Sequence, residues 1–110
     1  MITKAVVMSE PGCLSIQPVD LKSPSKEDVV IEINYSGIST GTEKLFYNGK
    51  MPQFPGMGYP LVPGYESTGE VVQAPKDSNL KIGDMVFVPG ADCYSGSVKS
   101  LFGGSARMII

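Results

Sequence analysis

The stretch PLVPGYESTGEVV, from Pro60 to Val72, sets two prolines and a glycine ahead of Tyr65 and Glu66. From Glu66 to Ala74, the run ESTGEVVQA then reads as a strand, with Gly69 at an expected bulge. A phenol and a carboxylate at the mouth of a strand either close a turn or belong to a reaction site. The residues around them bear on that choice.

Strand periodicity dominates on both sides of this stretch. TKAVVMS (Thr3 to Ser9) is a β-branched run closed by Pro11-Gly12, and CLSIQPV after it alternates Leu14 and Ile16 with Ser15 and Gln17. The two predict a hairpin, with Pro18 confined to an edge or a bulge because it cannot donate to a ladder. In VVIEINYSG the residues Val29, Ile31, Ile33 and Tyr35 are expected on one face, with Val30, Glu32 and Asn34 on the other. One short helix is predicted where Thr40 and Glu43 form a capping box and Asn48-Gly49 supplies a stop.

Between that helix and Gly64, residues 50–64 carry four prolines, which predicts an irregular segment. Its Met51, Phe54, Met57, Tyr59, Leu61 and Val62 call for burial rather than disorder. Further on, Gly83-Asp84 marks a turn before the strand of MVFVPG, ADCYSGSVKSLFGG reads as a loop of small residues, and SARMII as a last strand. Short strands, Gly/Pro turns and one small helix predict a mainly β fold, a partly open antiparallel barrel or a sandwich.

Composition narrows the chemistry. The 110 residues suffice for one domain, and 42% hydrophobic with 18% charged residues is ordinary for a soluble globular chain. A net charge of -2 gives no basic footprint for nucleic acid. No apolar run approaches a membrane span and no leader is visible at the N-terminus, so a cytoplasmic protein is expected. Cys13 and Cys93 are too far apart for a CxxC motif and are expected to be reduced and partly buried, with Cys93 inert. There is no histidine, which removes the commonest general base and the commonest metal ligand from this chain.

The ordered set SGISTGTEKL, LVPGYESTGEVV and LKIGDMVFVPG resembles the catalytic domain of medium-chain alcohol dehydrogenases and reductases, a GroES-like barrel. There the pattern GICxSD, then PxxxGHExxGxVxxxG, then xxGDxV occurs at similar spacing, and the likeness covers nearly the whole chain. A narrower resemblance lies in MPQFPGMGYPLVPGYE and VFVPGA. It is to the branch that oxidises the hydroxyethyl group of a bacteriochlorophyllide, a tetrapyrrole, to acetyl with a nicotinamide cofactor.

Carried over residue by residue, the resemblance implies a reaction site whose ligands have changed. Ser39 stands where the zinc enzymes have a cysteine ligand, Gly41 (flanked by Thr40 and Thr42) where they have a proton-relaying hydroxyl, and Tyr65 where they have the ligand histidine. Glu66 matches. With thiolate and imidazole both replaced, the resemblance implies hydride chemistry without zinc. Tyr65, Glu66, Ser39 and Thr42 become the candidate catalytic residues, and Met51, Phe54, Met57 and Tyr59 the candidate lining for a flat tetrapyrrole.

Plainer roles stand beside these. Tyr65 fits a half-buried aromatic bonded to backbone, Glu66 a turn carboxylate, and Ser39 and Thr42 helix-entry hydroxyls. The Met/Phe/Tyr set fits a minor core equally well. No G-x-G-x-x-G follows a strand, so NAD is expected to be held mainly by a nucleotide-binding domain outside residues 1–110, with this chain the N-terminal part of a longer enzyme. A homo-oligomer of that enzyme is compatible with the resemblance. Two other readings are a quinone or enoyl reductase of the same superfamily and a non-catalytic GroES-like binding module.

Overall fold

The computed structural model describes residues 1–110. The first hairpin forms as its alternation requires: β1 (Ile2–Glu10) and β2 (Cys13–Asp20) pair antiparallel, and Gly12 turns the chain at φ 82°. Pro18 sits opposite Lys4 on β2, the edge strand, where its missing N–H leaves no ladder partner unpaired. The remaining elements are β3 (Val30–Ser36), α1 (Thr42–Asn48), β4 (Leu61–Val62), β5 (Ser67–Gln73), β6 (Met85–Val88), β7 (Lys99–Ser100) and β8 (Met108–Ile109).

Two four-stranded sheets result, ordered β2-β1-β4-β7 and β6-β5-β3-β8. Residues 105–107 stitch them together. The Val6 N–H donates to the Ser105 carbonyl at 2.9 Å, the Arg107 N–H to the Lys4 carbonyl at 2.8 Å, and the Ile33 N–H to the Arg107 carbonyl at 2.8 Å. The architecture is therefore mainly β, partly open, with a single short helix. Between the sheets lies a core that includes Ala5, Val7, Ile31, Val62, Val71, Tyr94 and Ile109. A second, smaller cluster gathers Met8, Phe46, Leu61 and Leu101 under α1.

Six expectations change. Tyr35 does not share the inner face with Ile31; it is 78% exposed. The register shifts between Ile33 and Tyr35, so Asn34 is an extra residue in β3 and the side chains after it change faces. That bulge is thus on β3, opposite Gly69, rather than on β5 at Gly69 itself. Gly69 is needed for a different reason: a Cβ there would lie 2.3 Å from the Glu32 carbonyl oxygen.

The prolines of residues 50–64 leave room at their end for β4, whose Leu61 and Val62 are fully buried. The small-residue loop likewise contains β7, which runs parallel to β4, so the sheet is not wholly antiparallel. The capping box moves by one residue: the Thr42 N–H donates to Ser39 Oγ at 3.2 Å and the Ser39 N–H to the Glu43 carboxylate, while Thr40 makes neither bond. Cys13 is exposed, whereas Cys93 is fully buried and burial pushes its thiol up.

Candidate active site

Strand β3 ends at Ser36, and the next five residues carry the chain into α1. The Gly37 N–H donates to the Glu66 carbonyl at 2.6 Å, which ties the exit of β3 to the residue just before β5. Ser39 organises the entry to the helix: beyond its two capping bonds, its carbonyl accepts the Glu43 N–H at 3.1 Å. Those bonds occupy amide groups that a helix start leaves without partners. At the other end Gly49 closes α1 in a left-handed conformation, and Phe46 anchors the helix at 1% exposure.

Thr42, the first residue of α1, turns its side chain toward Tyr65. The Tyr65 hydroxyl donates to Thr42 Oγ1 at 3.4 Å. The half-buried Tyr65 ring also meets Phe102 edge to face, with centroids 4.8 Å apart and planes at 88°. Glu66 beside it is exposed. Burial holds the Glu43 carboxyl above the usual carboxylate range; the Ser39 N–H opposes that shift and the Glu66 charge adds to it.

Ser39, Thr42, Tyr65 and Glu66 therefore meet where the start of α1 faces the start of β5, with Glu43 as a fifth member. Three of the four candidate tetrapyrrole-lining residues gather around Phe46, one turn along α1 from Thr42. Met51, Met57 and Tyr59 pack on the small cluster around Phe46 and Leu61, and the Tyr59 hydroxyl donates to the Phe46 carbonyl at 2.5 Å. Burial pushes the Tyr59 phenol up. Phe54 alone of the four is exposed, at 38%.

A groove of about 800 Å³ opens on the other side of α1, between it and β1, β2 and the end of β3. Leu14, Ile16, Ile38 and Tyr47 give it an apolar wall, and Ser39 and Glu43 also line it. None of Met51, Phe54, Met57 or Tyr59 reaches it. The sequence reading missed this groove because its wall comes from elements distant in the chain. It also missed Phe102, the aromatic neighbour of Tyr65. The signal for that residue was a bulky side chain beside Gly103-Gly104, where a tight backbone is expected.

Comparison with known proteins agrees with the fold. Residues 25–108 match the family model described as alcohol dehydrogenase GroES-like domain. The whole chain is 56% identical over 110 residues to a Rhodobacter capsulatus protein named 2-desacetyl-2-hydroxyethyl bacteriochlorophyllide A dehydrogenase, of which it covers 35%. Among solved structures, a probable oxidoreductase from Mycobacterium abscessus superposes with a TM-score of 0.71 at 25% identity, over 99% of this chain and 32% of that one. A Sinorhizobium meliloti 1021 protein described as a zinc-binding dehydrogenase, with NADP bound, gives a TM-score of 0.60 at 26% identity, over 84% of this chain and 25% of that one. The chain thus spans about a third of the length of the curated relative it matches.

Proposed function

The chain belongs to the alcohol dehydrogenase GroES-like domain family, and from that premise we propose that it is the N-terminal part of an NAD-dependent dehydrogenase that oxidises the 3-hydroxyethyl group of a bacteriochlorophyllide to acetyl. The observation that carries the proposal is the 56% identity, over the whole chain, to a relative named 2-desacetyl-2-hydroxyethyl bacteriochlorophyllide A dehydrogenase. The dinucleotide is held mainly by a domain outside these residues, and the enzyme works in the cytoplasm.

In the reaction the bound nicotinamide supplies a hydride acceptor for the carbon that bears the hydroxyl. The residues of this chain have to take the proton. The donors near the site are the hydroxyls of Ser39, Thr42 and Tyr65 and the Glu43 and Glu66 carboxylates, with neither thiolate nor imidazole. That set does not fit Zn²⁺, which favours sulfur and nitrogen ligands, and no three His, Cys, Asp or Glu side chains gather anywhere in the fold. Tyr65 is the group we assign to the proton step. Its hydroxyl donates to Thr42 Oγ1, which leaves its oxygen free to accept the substrate proton while its own proton moves to Thr42 and on to solvent.

The test is an assay of the full-length enzyme with the hydroxyethyl bacteriochlorophyllide and NAD. Formation of the acetyl product with one NADH per turnover is expected, together with no reduction of quinones or enones by NADH or NADPH. Turnover of an enone but not of the alcohol would replace this reading with that of a reductase.

A further inference from the structure

Phe102 is the one residue other than glycine with a positive φ, at 76°. A bulky side chain is rarely found in that region, because Cβ crowds its own backbone there. Glycine meets no such crowding and takes up the next position, Gly103, at φ 69°. Burial does not explain a phenylalanine here, since the side chain is 45% exposed. What it does make is the edge-to-face contact with Tyr65.

The backbone around Phe102 is held from two sides. The Ala91 N–H donates to the Phe102 carbonyl at 2.6 Å, and the Tyr94 hydroxyl to the Gly103 carbonyl at 2.5 Å. On the opposite side, the N–H groups of Gly103, Gly104 and Ser105 donate to the carbonyls of Val62, Gly64 and Pro63 at 3.1, 2.8 and 2.9 Å. Residues 62–64 lead directly into Tyr65. An unfavourable φ persists where neighbouring bonds fix the backbone, and such outliers gather at functional sites. The loop is thus registered against the segment that delivers Tyr65, and its single ring closes on the Tyr65 ring.

We propose that Phe102 is a positioning residue for Tyr65: its ring fixes the Tyr65 side chain so that the hydroxyl stays on Thr42 and in line for the proton step. This rests on the assignment of Tyr65 above. Phe102 acts through Tyr65, so its effect belongs in turnover rather than in cofactor binding.

The test uses the full-length enzyme and four variants: Phe102→Gly, Phe102→Tyr, Tyr65→Phe and the double variant Phe102→Gly with Tyr65→Phe. Phe102→Gly relieves the backbone and should leave the melting temperature unchanged or raised, while kcat falls by about tenfold to a hundredfold, the scale of a misplaced catalytic group, and KM for NAD holds. Phe102→Tyr keeps a ring in place and should retain wild-type kcat. Added to Tyr65→Phe, Phe102→Gly should lower kcat no further. Wild-type turnover in Phe102→Gly, with Tyr65→Phe impaired, would overturn the positioning role alone. So would an equal loss from Phe102→Gly with and without the Tyr65 hydroxyl, because the ring would then act on something else. Wild-type turnover in Tyr65→Phe would instead remove the assignment of Tyr65, and the positioning role with it.

Discussion

The Tyr65 hydroxyl reaches Thr42 Oγ1 across 3.4 Å and so joins the entry of β5 to the first residue of α1. The contact is long for a hydroxyl pair and holds little of the fold together. Tyr65→Phe keeps the ring and its edge-to-face packing on Phe102. Stability should therefore fall by only about 1 kcal/mol or less, while kcat of the full-length enzyme falls by roughly 10²–10⁴, the range for general acid–base groups. Thermal melts beside steady-state kinetics check both. Equal turnover in the variant and the wild type would move the proton step to Glu66.

Metal content gives a second prediction, and it rests on donor chemistry at the same place. Ser39 and Tyr65 occupy the positions where the resemblance expects thiolate and imidazole, and neither oxygen is a favoured zinc ligand. Full-length enzyme purified without added metal should contain far less than one zinc per chain by elemental analysis. Dialysis against a chelator should leave its turnover unchanged. One bound zinc per chain, with activity lost to the chelator, would require a ligand set outside these residues.

Much of the fold was legible because it rests on short-range pattern. The β1–β2 hairpin follows from alternation plus Pro11-Gly12, and the end of α1 from Asn48-Gly49. Tyr35 escaped because one extra residue, Asn34, inverts the alternation, and a bulge leaves no mark in periodicity. Strands β4 and β7 escaped because two-residue strands exist only through their partners: β7 pairs with β4 across almost forty residues, and β4 pairs also with β1. The site divided in the same way. The Tyr65–Thr42 contact joins two residues singled out by motif order, whereas the packing of Met51, Met57 and Tyr59 around Phe46 depends on tertiary structure.

Phe46 links that packing to the site. It is almost wholly enclosed by Met8, Leu61 and Leu101, with Met51, Met57 and Tyr59 around them. Phe46→Ala should cost about 3–5 kcal/mol, since it loses the transfer energy of the ring and leaves a cavity. Because Thr42 and Phe46 share a seven-residue helix, turnover should drop in the same variant as α1 loosens. Denaturant unfolding measures the first effect. A change of under 1 kcal/mol would mean that α1 is not held by this cluster.

Glu43 gives the pH dependence. Burial raises its carboxyl above the ordinary value, with the Glu66 charge reinforcing the shift and the Ser39 N–H opposing it. A carboxyl whose folded pKa lies above its unfolded value binds protons more tightly in the native state. Its favourable contribution is complete below the unfolded pKa of about 4.3 and is lost as pH rises through the folded one. Glu43→Gln removes that titration yet leaves an amide oxygen to accept the Ser39 N–H. The variant and the wild type should thus be similarly stable below about pH 4, and the variant should gain relative to the wild type as pH rises toward neutrality. The gain should be modest, because solvent reaches the carboxylate and screens its interaction with Glu66. Unfolding curves for both proteins from pH 3 to pH 8 check the sign. A variant that instead loses stability relative to the wild type as pH rises would show that the Ser39 N–H, and not burial, governs the charged form of Glu43.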